Sequence, residues 1–404
     1  MLKTLLGLDF EITHDENYFN NFVGTKISYT KDKLNNELFF AATDLLFEKN
    51  INPENYLKLT IDEAFTIHHS PFTFDIFAAS FFLLTRYEEY SNENFQHQHS
   101  ILFRSNLLQT PIINQWVMQL KTILQQYFPE LKFQKRNYQF TPTIDVDRAF
   151  AFKGRNNFKT IGGFAKDFLK GNFFEIKMRF AVLFQNEKDP FDVFDELENV
   201  HQQNNLRAKY FFHCGNYDGV DKNIDLQNTN FKTLINRLQT TADIGLHPSV
   251  KSNYNFELLQ NEKKVLENLL QKKVNDSRQH FIQLHFPNTY HRLIELDIKN
   301  DYTMGYATTA GFRAGICNSF HWYDLKNETE TDLTIHPFCW METVFQEFQK
   351  VSDEEMWRQT KQIINAVKQV DGEFCAVWHN HSLSELYEFK GWKNKYEQFV
   401  KLAK

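Results

Sequence analysis

The first 130 residues contain apolar positions mainly at helical spacing. In residues 38–47 and 114–127 an apolar residue recurs every three or four positions. This spacing predicts two amphipathic helices. Residues 74–90 begin with a long apolar run and end in charged residues, so a buried helix is predicted there. The polar residues 92–100 are predicted to form a loop. We find no cluster of catalytic residue types in this part of the chain.

From about residue 137, short apolar runs alternate with amphipathic stretches. The predicted strands are residues 138–144, 207–212, 243–246, 277–281, 301–304, 332–335 and 374–378. The predicted helices are residues 190–204, 231–238, 256–270, 287–296, 352–370 and a terminal helix from about 392. Residues 153–170, rich in Gly, Asn and Lys, are predicted to be an excursion with a helical tail. This alternation predicts parallel strands joined by crossover helices.

Polar residues end several of these predicted strands. Asp145 and Asp147, His247 and His379 each stand at or just after the end of an apolar run. Functional groups at the carboxyl ends of several strands are typical of the mouth of a (β/α) barrel. A doubly wound open sheet is the alternative, although it gathers ligands at one switch point. We predict a barrel over residues 136–404, preceded by a smaller domain of unknown function over residues 1–135 that is α+β or mainly helical.

The pair Asp145 and Asp147 is the strongest chemical signal in the chain. Two carboxylates this close repel each other unless a cation or a proton lies between them. A divalent cation bound by carboxylate oxygen and imidazole nitrogen would satisfy the pair. His247, which follows Gly245 and Leu246 at another strand end, is the first candidate for the imidazole.

Composition excludes several classes of protein. The chain has 404 residues and a net charge of −6, which gives no reason to expect nucleic acid or an anionic membrane as a partner. The four cysteines are scattered, so neither a disulfide framework nor a cysteine zinc site is expected. No run is long enough to span a membrane, and the N-terminus turns acidic too early for a signal peptide. These observations predict a cytoplasmic protein, and the 42 Phe residues are interpreted as codon bias.

Five segments resemble the motifs of the polysaccharide deacetylases with a NodB homology domain. Residues 143–147 resemble the first motif in its D-x-D variant, 245–249 the second, and 278–281 the arginine-bearing third. Residues 301–306 resemble the aspartate segment that follows, and 377–379 the late histidine. The resemblance covers about residues 138–404. The N-terminal block resembles the uncharacterised domain that precedes such deacetylases in a bacterial subgroup.

The resemblance implies a distorted (β/α) barrel that binds a divalent metal, most often zinc, and removes acetyl groups from a carbohydrate. N-acetyl groups are expected more than O-acetyl groups. By position, Asp145 would be the general base on the metal-bound water, with Arg278 holding it charged. Asp147 and His247 would bind the metal, and His379 would be the general acid.

The second motif departs from the family pattern, because Lys251 stands where the family has a second histidine. The third metal ligand must then come from elsewhere, and His280 is the first candidate because it lies beside Arg278. The weaker candidates are Ser252, Asn253, His213 and His336. Arg313 and Asp301 are predicted to contact the substrate.

Two other functions remain open from the sequence. The missing histidine favours an inactive family member that binds a glycan or a protein through the same groove. A glycoside hydrolase would use Asp145 and a second carboxylate, about 5–10 Å apart around a sugar. The expected partner is a carbohydrate substrate, and the oligomeric state is not predicted.

Overall fold

The computed structural model describes residues 1–91, 95–155, 157–216, 219, 221 and 223–404. The N-terminal block contains a two-stranded parallel sheet and six α-helices among its described residues. Its strands are β1 (Ile27–Thr30) and β2 (Leu38–Ala41). Its helices are α1 (Leu2–Leu6), α2 (Glu16–Asn21), α3 (Ile61–Phe65), α4 (Ile76–Leu84), α5 (Ile101–Arg104) and α6 (Ile112–Tyr127).

This block is α+β, and one predicted helix in it is wrong. Residues 38–47 form strand β2 and a separate 3₁₀ turn, Leu45–Phe47. All four residues of β2 are buried, and periodicity cannot distinguish so short an apolar run from a buried helix. The predicted helix over 74–90 is interrupted at Arg86, whose φ of 54° is incompatible with helix continuation. Residues 92–94 of the predicted loop lie outside the described residues.

The second part of the chain forms a nine-stranded sheet. The strands are β3 (Gln139–Val146), β4 (Lys209–His213), β5 (Asp243–His247), β6 (Asp276–Ser277), β7 (Asn300–Asp301), β8 (Phe320–Asp324), β9 (Thr329–Ile335), β10 (Trp340–Met341) and β11 (Glu373–His379). Their order is β10-β11-β3-β4-β5-β6-β7-β9-β8, and every pair is parallel except β8 with β9. The predicted parallel sheet is therefore present, but strand pairing among the described residues does not close it into a ring.

In the part of the chain that the structure describes, eight α-helices accompany the sheet. They are α7 (Asn157–Leu169), α8 (Phe173–Phe184), α9 (Phe194–Gln203), α10 (Thr229–Leu238), α11 (Phe256–Leu270), α12 (Asn288–Glu295), α13 (Asp353–Lys368) and α14 (Trp392–Ala403). The helix predicted to begin at Asp189-Pro190 begins at Phe194, and the Asp189 carboxylate accepts the amides of Ala151 and Phe152 as well as that of Phe191. Among the described residues, none of the helices combines the length and apolar character required to cross a bilayer.

The strand predicted over 277–281 ends after Ser277. Phe281 and Ile282 both have positive φ, 55° and 57°, in a region that bulky and β-branched residues rarely adopt. Such strain persists only where the surrounding structure imposes it, and it often lies beside functional residues. Here it follows directly after His280, which enters the candidate site described below.

The N-terminal block packs directly against the sheet. The guanidinium of Arg313 donates to the Glu89 carboxylate at 3.0 Å, and both side chains are buried. The Cys317 amide donates to Asn114 at 3.1 Å across the same boundary. Buried apolar residues of both parts belong to one continuous cluster. The division at residue 135 into two domains stays a prediction.

Candidate metal centre

The register of the parallel strands brings the polar strand ends together. Asp145 on β3 stands opposite His379 on β11, and His213 on β4 stands opposite His247 on β5. Neighbouring strands lie about 4.8 Å apart, so side chains at the same level of adjacent strands can interact. Asp147 follows β3 at this same edge. The candidate site is therefore at the carboxyl edge of the sheet.

Three side chains direct an oxygen or nitrogen atom at one another. The Oδ1 atom of Asp147 lies 3.3 Å from Nε2 of His247 and 3.6 Å from Nε2 of His280. Ligand atoms about 2.0–2.1 Å from a tetrahedral zinc ion lie about 3.3–3.4 Å from one another. Asp147 Oδ1 and His247 Nε2 are buried and have no hydrogen-bond partner among the described residues. These three residues, the candidate ligand triad, fit a divalent ion in donor type and spacing.

Both imidazoles are held in the tautomer that a metal ligand needs. Nδ1 of His247 donates to the Arg278 carbonyl at 2.6 Å, which can only accept. Nδ1 of His280 lies 2.7 Å from the Asp221 carboxylate, so it also carries the proton. Each Nε2 is therefore the atom that faces Asp147, and it would offer a lone pair to an ion that displaces any proton it carries. Partners of this kind orient histidine ligands and increase their basicity.

The charge of the triad favours a cation. Burial alone would raise the pKa of Asp147, but the adjacent imidazoles of His280 and His247 lower it well below its usual value. Burial alone would lower the pKa of His280, but the carboxylates of Asp147 and Asp221 outweigh this effect and raise the pKa to about 9. The Asp147 carboxylate therefore stays ionised, and its surroundings attract positive charge.

A second group of similar residues supports the triad and does not form a second ion site. His213 and Asp221 lie beside His280, with His213 Nε2 3.8 Å from Asp221 Oδ1. The 2.7 Å separation of His280 and Asp221 is a hydrogen-bond length, too short for two ligands that share one ion. Nδ1 of His213 lies 3.1 Å from the His247 carbonyl. The structure thus places His213 and Asp221 behind the ligands.

Asp145 is held by an arginine from beneath the site. Nη1 of Arg278 donates to Asp145 Oδ1 at 2.8 Å and to the Thr143 hydroxyl at 2.7 Å. Nε of Arg278 donates to the Tyr302 carbonyl at 2.9 Å, and the guanidinium has no solvent exposure. The other carboxylate oxygen of Asp145 lies 4.0 Å from Nε2 of His247. One oxygen is therefore engaged by Arg278, and the other faces the triad.

A buried glutamate holds His379 on the opposite side of Asp145. Glu342 Oε1 lies 2.7 Å from His379 Nδ1 and accepts the Ser382 hydroxyl at 2.6 Å. Burial alone would lower the pKa of His379, but the charges of Glu342, Asp147 and Asp145 raise it to about 10. His379 is therefore a cation with Nδ1 fixed. Sequence reasoning missed Glu342, although it directly follows the two-residue strand β10.

Two residues that the sequence predicts to contact the substrate lie in the interior of the protein. Asp301 has no exposed surface, and its carboxylate accepts the amide and hydroxyl of Thr303 at 3.0 and 2.7 Å. Arg313 is buried against Glu89 at the boundary with the N-terminal block. Internal partners engage both side chains, which contradicts a role in contacting a substrate.

The weaker candidates for the third ligand are bonded elsewhere. The Ser252 hydroxyl donates to the Ser249 carbonyl at 2.8 Å, and Asn253 Oδ1 accepts the Thr289 hydroxyl at 2.9 Å. His336 stacks on Tyr302 with ring centres 4.4 Å apart, in a cavity also lined by the first residues of β3 and β11. His280 alone of the proposed alternatives joins Asp147 and His247 in the group with ligand spacing, while His213 supports it.

Comparisons with known proteins give a family for part of the chain and a likeness in fold. Residues 1–129 match a family of unknown function, DUF7033. No curated protein matches the chain. Similar solved structures include a candidate polysaccharide deacetylase from Mycobacterium smegmatis, 11% identical with a TM-score of 0.43 over 66% of this chain and 84% of that one.

Two further similar structures are described as members of family 4 of the carbohydrate esterases. A family 4 carbohydrate esterase from Streptomyces lividans, in complex with acetate, is 9% identical with a TM-score of 0.31 over 66% of this chain and 90% of that one. A family 4 pseudoenzyme from Bacillus anthracis is 9% identical with a TM-score of 0.32 over 66% of this chain and 60% of that one. At such low identities and TM-scores, these likenesses do not decide what the site does.

Proposed function

We propose that this chain is a metal-dependent hydrolase that removes acetyl groups from a carbohydrate, N-acetyl groups more than O-acetyl groups. The observation that carries the proposal is the candidate ligand triad with Asp145 on one side and a charged His379 nearby. An anionic base, a cationic acid and an ion site within one buried cluster are what hydrolysis of an acyl group requires. The motif resemblance supports the same reading.

Asp147, His247 and His280 would hold the ion, and zinc suits their nitrogen and oxygen donors. A bound divalent ion supplies a Lewis acid, which polarises the acyl oxygen and lowers the pKa of water. Arg278 and the buried hydrogen bonds around it fix the Asp145 carboxylate in place. This arrangement leaves one carboxylate oxygen available to take a proton from the attacking water.

His379 would return a proton to the leaving group. Glu342 holds Nδ1, so Nε2 of the imidazolium is the donor. An amine leaves poorly unless it is protonated, whereas an alcohol depends less on an acid. A strongly cationic imidazole therefore favours amide substrates, and this is our reason for placing N-acetyl groups first.

Glu342→Gln is expected to shift the pH dependence of turnover. Glu342 raises the pKa of His379, and the acid must be protonated, so activity is present below that pKa and is lost above it. Without the negative charge the pKa of His379 falls, and the alkaline loss of kcat should move to lower pH. The pH profile of kcat measures this. Glu347→Gln, a neighbouring carboxylate without the contact to His379 Nδ1, is the matched control, and an unchanged alkaline limb in Glu342→Gln would contradict the assignment.

The two alternative functions, a glycoside hydrolase and an inactive glycan-binding protein, require different arrangements of the site residues. A glycoside hydrolase needs its carboxylates on opposite sides of a sugar, whereas Asp145 and Asp147 both approach the same nitrogen of His247. An inactive glycan-binding protein was favoured by Lys251, but the histidine missing from the second motif has a counterpart in His280. Neither alternative is favoured by a separate observation.

The test is release of acetate from N-acetylglucosamine oligosaccharides. Protein stripped with a chelator and then dialysed should be inactive, and one equivalent of zinc should restore release. A matched Asp147→Ala protein should gain no activity from added zinc. Zinc-independent release, or no release with zinc bound on either N-acetyl or O-acetyl oligosaccharides, would overturn the proposal.

A further inference from the structure

The segment between β3 and α9 exposes an unusual amount of apolar surface. Helices α7 and α8 form a hairpin joined by three residues. Eight of its large apolar side chains are between 48% and 88% exposed: Phe158, Ile161, Phe168, Leu169, Phe173, Phe174, Phe180 and Phe184. Soluble monomers rarely expose apolar side chains in so continuous a group, and such patches mark interaction sites. We refer to these eight residues as the hairpin patch.

The apolar residues lie on the outer faces of both helices. In α8, Phe173, Phe180 and Phe184 are spaced by seven and four residues, which places them on one stripe. On the inner face a buried ion pair joins the two helices, in which Arg179 donates to Asp167 at 2.6 Å. Val182 on the same helix is buried in an apolar cluster with Ala151 and Phe152. The Arg179 guanidinium also lies over the Phe152 ring at 4.8 Å. The hairpin is thus anchored by both polar and apolar contacts, while the eight residues of the hairpin patch face outwards.

The hairpin is also strongly basic. Residues 153–185 contain seven Lys or Arg against two Asp or Glu, a net charge of +5 in a chain whose total is −6. Lys166, Lys170 and Lys177 are exposed among the apolar residues of the patch. The overall charge gave no reason to expect an anionic partner, but the charge of this segment is opposite in sign. Basic residues beside exposed Phe and Leu are typical of helices that lie in the headgroup region of a membrane.

We propose that the hairpin patch docks this protein onto an anionic lipid bilayer, with the aromatic rings inserted at the headgroup level and the lysines contacting the lipid charges. A second copy of the chain fits the patch poorly, because a symmetric contact would place its positive charges against one another. Protein interfaces are also depleted in lysine, whereas anionic membranes attract it. The hairpin follows β3 directly, so it leaves the sheet at the same edge as Asp145 and Asp147. The proposal does not rest on the proposed function.

Vesicle co-sedimentation of the full chain tests the proposal. The protein should sediment with equimolar phosphatidylglycerol and phosphatidylcholine vesicles, bind phosphatidylcholine vesicles weakly, and lose affinity when salt is raised from about 0.1 to 1 M. Phe158→Ser with Phe173→Ser should lower the partition coefficient at least about tenfold. Lys166→Gln with Lys170→Gln and Lys177→Gln should lower it about a hundredfold on the anionic vesicles. All five positions are exposed, so folding is expected to be unaffected.

The controls carry the same changes elsewhere on the surface. Phe10→Ser with Phe47→Ser removes two other exposed rings, and Lys272→Gln with Lys326→Gln and Lys361→Gln removes three other exposed charges. Both control proteins should bind vesicles as the unchanged chain does. Absence of binding to the anionic vesicles would overturn the proposal. So would loss of binding in the controls, or a dimer in solution that the Phe158 and Phe173 changes dissociate.

Discussion

Asp145→Asn is expected to keep the metal and lose turnover, with kcat falling by about 10²–10⁴-fold. Asparagine has the same shape and can still accept the hydrogen bond from Arg278, but it cannot take a proton from water. The ligand triad does not include Asp145, so the ion should stay. Acetate release under saturating substrate measures kcat, and metal analysis of the same sample measures occupancy.

The control for this variant must account for the buried arginine. Asp145→Asn leaves the Arg278 charge without its anionic partner, which is expected to cost stability. The Asp145→Asn protein and the unchanged protein should therefore be assayed well below their melting temperatures, which circular dichroism measures. Asp243→Asn changes a partly exposed carboxylate at the other end of β5 and should leave kcat unchanged. Full turnover by Asp145→Asn would remove it as the base.

His280→Gln is expected to lower metal affinity by more than about a hundredfold. Residues that only support a metal ligand typically change affinity by about 10–100-fold, so a larger loss indicates a ligand. His213→Gln is the matched control, because His213 lies beside His280 but is excluded from the triad. Competition with a zinc-binding dye measures both affinities. If His213→Gln weakened binding more than His280→Gln, the third ligand would be wrongly assigned.

Most of the site can be predicted from the polar residues at the ends of the apolar runs. Asp145, Asp147, His247 and His379 follow apolar runs, and parallel strands bring such residues to one edge whatever the connections between them. The position of His280 beside Arg278 makes it a candidate ligand, and the structure places it in the triad next to two left-handed residues that no pattern predicts. That these residues bind a metal and act as base and acid stays a prediction.

Long-range contacts account for what the sequence did not predict. Asp221 lies outside any strand, and only its contact with His280 shows its role. Glu342 follows a strand of two residues, too short to give a periodic signal. Nothing near Arg313 in the sequence shows that Glu89, more than two hundred residues earlier, neutralises it. The net charge also gives no sign of the basic hairpin, because a sum over the whole chain does not show where the charges lie.

The most direct test of the central claim is the metal content of the purified full chain, together with its melting temperature before and after chelation. The purified chain is expected to contain about one equivalent of divalent metal, and the Asp147→Ala and His247→Ala proteins are expected to lose it. An ion present at about a thousand times its Kd adds about 4 kcal/mol to the free energy of unfolding, so chelation should lower the melting temperature clearly. Metal well below one equivalent after incubation with zinc, with no change in melting temperature on chelation, would contradict the account.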